Sequence, residues 1–282
     1  MVVIEDYKYR PLDYLNELKK SPNFIDSILA IKEKNARNLL LYFLLIDLME
    51  ETNIPFYVKG GIISYYYLAS HARETFDIDI IIKDDCDSFY EKFGEVLSSC
   101  KMDFSFFINK YEKIPANNRF YYDEFYLKIQ VKYQDVLDET ITIDGICGSF
   151  FDNIDGRLYQ GPAIMHKDFS FYGVPLEYVL AEKIVAITNE LKRPYKHLVD
   201  VYSMIEKNID ISLLQKYLFI INYNDNEKRK IFNKKEMTNK YHISEEKEFD
   251  GSFILAELNA GYNVTFTEMK DKVNQWFDDY LN

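Results

Sequence analysis

The spacing of apolar residues changes twice along this chain of 282 residues. Up to about residue 52 it is helical. "RPLDYLNELKK" reads as a short amphipathic helix, and "SPNFIDSILAIKEK" starts another after a Ser-Pro break. "NARNLLLYFLLIDLMEE" is apolar on most sides, which predicts a central buried helix. From about residue 54 to 173 the period shortens. "PFYVKGG" reads as a strand running into a Gly-Gly turn, "IISYYYLASHA" as a helix, and "TFDIDIII" as a β-branched strand. "SFYEKFGEVLSSC" is a helix. "FYLKIQVKY" alternates Leu127, Ile129, Val131 and Tyr133 with Lys128, Gln130 and Lys132, as a half-buried strand does. "TITIDGI" and "AIMHKDFSFYGVP" give further short strands and turns. After Pro175 the pattern is helical again, in "LEYVLAEKIVAITNEL", "KHLVDVYSMIEK" and "SLLQKYLFIIN". Residues 224 to 250 are polar, basic first and then acidic, and read as a loop or linker. "FTEMKDKVNQWFDDYL" closes the chain as an amphipathic helix capped by Thr265 or Thr267. The expected class is α+β: a mixed sheet with flanking helices over residues 1–174, then a helical domain over 175–282.

Composition narrows the function classes. The net charge is -12, so any polynucleotide contact must be local, and anionic membranes are disfavoured. The run "NLLLYFLLIDLM" is short for a membrane span and contains Asp47. The charged N-terminus does not read as a signal peptide. Cys86, Cys100 and Cys147 are odd in number and scattered, with no C-x-x-C, which predicts reduced thiols in a cytoplasmic protein. The many Tyr and Phe accompany many Asn, Lys and Ile, and carry little functional weight by themselves. The four histidines show no metal spacing.

The chemistry concentrates in "VKGGIISYYYLASHARETFDIDIII". Residues two apart on a strand share a side, so Asp77 and Asp79 project together, away from Phe76, Ile78 and Ile80. Two carboxylates held this close repel unless a cation lies between them. Mg²⁺, a hard ion with oxygen ligands that is shared readily with phosphates, suits such a pair. Gly60 and Gly61 allow a tight turn and a close backbone approach, and a helix starting there offers N–H groups to a phosphate. A bare D-x-D is common on exposed strands. The glycine turn, the intervening helix and the isoleucine strand are what raise this one above that background.

A glycine turn followed by D-h-D on the next strand resembles the nucleotidyltransferase superfamily related to DNA polymerase β. Lys59-Gly60-Gly61, a helix, then Arg73-Glu74-Thr75-Phe76-Asp77-Ile78-Asp79 is similar to the AbiEii-type nucleotidyltransferase toxins of abortive-infection and toxin–antitoxin systems. A second block, "LAEKIVAITNELKRPYKHLVDVY", matches that family's L-A-E-K helix and the Arg and Asp beyond it, at Lys183, Arg193 and Asp200. The resemblance implies a nucleotidyltransferase-type sheet, with a helical C-terminal domain completing the cleft. It implies transfer of a nucleotide from an NTP to an acceptor hydroxyl, with two Mg²⁺ ions on Asp77 and Asp79. Lys59, Gly60, Gly61, Ser64, Arg73, Thr75 and Arg193 would serve the nucleotide, and Lys183 and Asp200 the chemistry. It further implies a tRNA acceptor and a cognate antitoxin. Transfer to a small aminoglycoside-like acceptor, or an NTP-binding module without turnover, are the alternatives.

The residues themselves agree only in part. Leu176, Leu180, Ile184, Ile187 and Leu191 form one apolar stripe into which Lys183 falls, so it needs a partner or a cavity. Asp200 lies nearly opposite the apolar face of its helix, which predicts a solvated residue paired with Lys196. The third carboxylate usual in the superfamily is expected from "KIQV", where Gln130 stands. An amide oxygen can coordinate a metal but takes no proton. Asp123, Glu124 and Asp135 are near in sequence but off the expected strand face. The Ser or Thr that often follows the glycines is Ile62, with Ser64 the candidate substitute.

Overall fold

A computed structural model describes residues 34–68, 72, 75–100, 104–116, 122–161, 169–188, 196–223, 241–243, 262 and 264–282. The expected helices before residue 34, nearly all of the 224–250 stretch, Arg73 and Arg193 lie outside the described residues. The chain divides into two compact units. One comprises Met1–Ile62, Glu74–Ala116 and Tyr122–Val174, and the other Ile63–Arg73, Asn117–Tyr121 and Pro175–Asn282.

The first unit is built on a mixed sheet of seven strands in the order β3-β4-β5-β2-β1-β7-β6. They are β1 (Phe56–Lys59), β2 (Ile78–Ile82), β3 (Ser105–Ile114), β4 (Asp123–Tyr133), β5 (Leu137–Cys147), β6 (Arg157–Gln160) and β7 (Ser170–Gly173). Helix α1 (Lys34–Glu50) is the first element among the described residues, α2 (Gly60–Leu68) follows β1, and α3 (Cys86–Ser99) follows β2. Residues Leu39–Ile46 of α1 are all buried or nearly so, as a helix apolar on most sides requires. Together α1 and α3 cover one face of the sheet, with α1 against β5 and β7 and α3 against β3 and β4. Leu127, Ile129 and Val131 point into this layer with no exposure, which is the alternation visible in "FYLKIQVKY". Glu139, on the same face of β5, is buried and paired with Lys34 at 3.1 Å and with Arg37.

Strand β3 does not stand out in the sequence. It is an edge strand, exposed or half-exposed along its whole length, and its residues are neither cleanly alternating nor apolar enough to signal it. A register shift between Ile108 and Lys110 interrupts its pairing with β4.

The expectation of three free thiols is corrected. Cys86 and Cys147 form a disulfide, and Cys100 alone is free. Chain order hides the pairing, because the two cysteines are 61 residues apart. The parallel register of β2 and β5 sets Ile82 beside Cys147, and Cys86 opens α3 just after β2. Closing a loop of that length limits the unfolded chain and is worth about 4 kcal/mol on chain-entropy grounds. Dithiothreitol is therefore expected to lower the thermal midpoint of the wild-type protein and to leave a Cys86→Ser/Cys147→Ser variant unmoved, as differential scanning fluorimetry would show.

The second unit holds α4 (Leu176–Thr188), α5 (Lys196–Met204), α6 (Ile211–Tyr223) and α7 (Phe266–Tyr280). Helix α4 packs on α5 and α6, and α7 packs on α5. Thr265 caps α7 in a capping box with Glu268. Among the described residues no helix is long and apolar enough to cross a membrane.

Candidate active site

Strand β1 ends at Lys59, and the next residue already belongs to α2. That abrupt change of direction puts Gly60 at φ +65°, a backbone region where other residues are strained. Space demands glycine as well, since a Cβ at Gly60 would overlap the Asp79 carboxylate, and one at Gly61 would overlap the Thr75 side chain. The turn is therefore moulded onto the residues of the aspartate strand. Thr75 is buried, and its Oγ1 donates towards Asp77 Oδ1 and the Asp77 carbonyl, both at 3.3 Å, which fixes the first aspartate just ahead of β2. Ile62, where a hydroxyl was expected, is fully buried, and an apolar side chain suits that core position. Gly60→Ala is expected to displace Asp79 and to reduce nucleotide binding far more than stability, which calorimetry beside a melting curve would check.

Antiparallel pairing sets Lys59 beside Asp79 on β1 and β2. Parallel pairing sets Asp79 beside Asp144 on β5. Strands lie about 4.8 Å apart, so Lys59, Asp79 and Asp144 form one row across three strands on the same face. Asp77 precedes Asp79 by two residues. Burial, then the charges of Asp77 and Asp79, push the Asp144 carboxyl up to about 6, while Lys59 acts the other way. Among the described residues no three His, Cys, Asp or Glu side chains are gathered into a ready-made metal cluster. Even so, the electrostatic coupling links all three aspartates. They are hard oxygen donors with too little positive charge between them, a set that fits Mg²⁺.

Asp144 is the residue that sequence reasoning missed. Its signal was present, because "TITID" carries Thr140, Thr142 and Asp144 on alternate positions, as "DID" does. What the sequence lacks is strand order. The strand beside β2 is β5, and β4, with Gln130, lies one strand further out. Gln130 pairs with Thr140, four residues along β4 from Tyr126, the partner of Asp144. That is about 13 Å. Its amide donates to Asp138 at 2.7 Å, and its oxygen faces Asn109 at 3.5 Å. The structure does not bring Gln130 to the aspartates, because the register of β4 on β5 holds it away. Glu124, expected off the strand face, lies in β4 and adds to the upward push on Asp144. Gln130→Ala is expected to leave Mg²⁺ and NTP binding unchanged in a calorimetric titration.

In the second unit, Lys183 lies on α4 and is almost buried, as its place in the apolar stripe requires. Its Nζ stands 3.9 Å from Asp200 Oδ2, and His197 Nδ1 is 3.2 Å from the same oxygen. The expectation of a solvated Asp200 is corrected, since it is 3% exposed. Its neighbours Val199 and Val201 are buried too, so α5 is enclosed on more sides than its apolar stripe implied. Ser64 is buried one turn into α2.

Comparison with known proteins bears on this arrangement. No curated protein matches the sequence. Among solved structures, JHP933 from Helicobacter pylori is similar at a TM-score of 0.42 and 10% identity, over 88% of this chain and 97% of that one. An antigenic nucleotidyltransferase-like protein from Paracoccidioides brasiliensis is similar at 0.41 and 14%, over 66% and 87%. Residues 47–282 match the family model described as nucleotidyl transferase AbiEii toxin, type IV TA system. Membership implies a nucleotide substrate and a cognate antitoxin. The chain belongs to the AbiEii nucleotidyltransferase toxin family, and it is a nucleotidyltransferase.

Proposed function

We propose that the protein is a Mg²⁺-dependent toxin enzyme that transfers a nucleotide from an NTP to the 3′ end of a tRNA. The observation that carries the chemistry is the register of Asp79 on Asp144, with Asp77 held beside them by Thr75. Asp77, Asp79 and Asp144 would hold the metal, and Mg²⁺ when bound would supply positive charge at the α-phosphate and align the attacking oxygen. Gly60 and Gly61 bring the start of α2, with its free N–H groups, to the β- and γ-phosphates. Lys59 contributes positive charge in the same row, and the family pattern assigns Lys183 and Arg193 to the triphosphate. Asp144 accepts the proton of the acceptor hydroxyl. The new bond joins that oxygen to the α-phosphorus, and the bond to the β-phosphate oxygen breaks with release of pyrophosphate. A carboxylate at position 144 weighs against a degenerate binding module, a reading that rests on Gln130 and Ile62.

Incubating the protein with each α-labelled NTP, total RNA and Mg²⁺ tests this reading. Label is expected in the tRNA band and absent with EDTA. Label on an added aminoglycoside in place of RNA, or transfer that persists without divalent metal, would overturn it.

A further inference from the structure

The face of β3, β4 and β5 turned away from α1 and α3 has an unusual composition, and it runs directly on from Asp144. Register places Tyr126 next to Asp144 and Lys128 next to Thr142, while Lys110 pairs with Lys128 and Phe107 with Gln130. The Lys110 ammonium lies 5.2 Å from the centre of the Tyr126 ring, and that of Lys128 lies 5.5 Å from it. Two cations thus lie near the ring, one strand from the candidate base. Phe107 is 50% exposed and Lys110 equally so.

Resting on the reading of nucleotidyl transfer, we infer that this open sheet face is the platform for a single-stranded RNA acceptor. Its bases stack on Tyr126 and Phe107, its phosphates meet Lys110, Lys128 and Lys132, and its 3′ hydroxyl arrives at Asp144. Aromatic rings on an open sheet with lysines between them are the physical requirements for holding single-stranded RNA. The four residue steps from Tyr126 to Gln130 give the platform a run of about 13 Å. Lys128 forms no ion pair among the described residues, and its side chain is hydrogen-bonded to that of Tyr126. Lys110 is paired with Glu112 at 2.6 Å and Lys132 with Asp138 at 3.4 Å. Pairs this exposed are weak and can exchange a carboxylate for a phosphate. A local basic and aromatic face also answers how a chain of net charge -12 could hold RNA at all.

Fluorescence anisotropy of a labelled single-stranded oligoribonucleotide, titrated with full-length protein across a salt series, tests the platform without requiring turnover. Tyr126→Ala and Phe107→Ala are each expected to weaken RNA binding about 10-fold. Lys128→Ala should lower the salt slope by about 0.7. Affinity for Mg²⁺-NTP, measured by calorimetry, should stay at the wild-type value in all three. RNA binding unchanged in all three variants would overturn the platform even if the wild-type protein transfers nucleotides. So would unchanged RNA binding joined to loss of neutralisation by the antitoxin, since the face would then be a protein-docking surface. Absence of transfer by the wild-type protein, with RNA binding sensitive to these residues, would instead count against the reading of the active site alone.

Discussion

Asp79→Asn is expected to reduce nucleotide transfer on the order of 10³-fold while leaving the fold intact. The substitution keeps shape and removes one charge from the middle of the row formed with Lys59 and Asp144. An interaction worth several kcal/mol at the α-phosphate corresponds to that factor. The carboxylate is also the surface onto which Gly60 is moulded, so an isosteric amide is a better probe than alanine, which would leave a gap beneath the turn. A second readout separates charge from shape. Asp79 is one of the groups raising the Asp144 carboxyl, so the variant should titrate Asp144 closer to an ordinary aspartate. A loss of activity accompanied by a clearly lowered melting temperature would instead assign Asp79 a structural role.

Asp144→Asn is expected to lower the rate by about 10²–10⁴, the usual effect of removing a general base. It should not destabilise the protein. The Asp144 carboxyl is raised from 3.8 to about 6, first by burial and then by Asp77 and Asp79. Between those values the folded state binds the proton more tightly than the unfolded chain, so stability falls as pH rises through that window. The penalty is fully present above about 6 and disappears at lower pH. Asparagine never carries the charge, so the variant should melt at or above the wild-type temperature at pH 7 and lose that advantage below pH 4. The same titration governs metal binding. Mg²⁺ needs the ionised carboxylate, so its affinity should rise with pH through about 6 in the wild-type protein and be flatter in Asp144→Asn.

Much of this architecture was legible in the chain. The helix periods after Pro175, the alternation in "FYLKIQVKY" and the isoleucine strand all reflect one-sided or complete burial, which residue type reports directly. The pairing of Gly60 and Gly61 with the aspartate strand was visible as chemistry, and the structure adds its steric basis in Asp79 and Thr75. The misreadings share another cause. From the sequence alone Gln130 stands where a third carboxylate is expected, Asp144 does not stand out, and Cys86 and Cys147 read as free thiols. Each depends on β5 lying beside β2, a long-range fact that no local period records. Asp200 failed differently, because a polar residue opposite an apolar stripe reads as solvated unless a second layer covers it.

The most direct measurement is labelled-nucleotide transfer, with Mg²⁺ and RNA, by the wild-type protein, Asp144→Asn and Gln130→Ala side by side. Transfer by the wild type, near-complete loss in Asp144→Asn and retention of most of the rate in Gln130→Ala is the predicted result. A fully active Asp144→Asn would contradict the assignment of the third carboxylate to β5, and with it the account of this site.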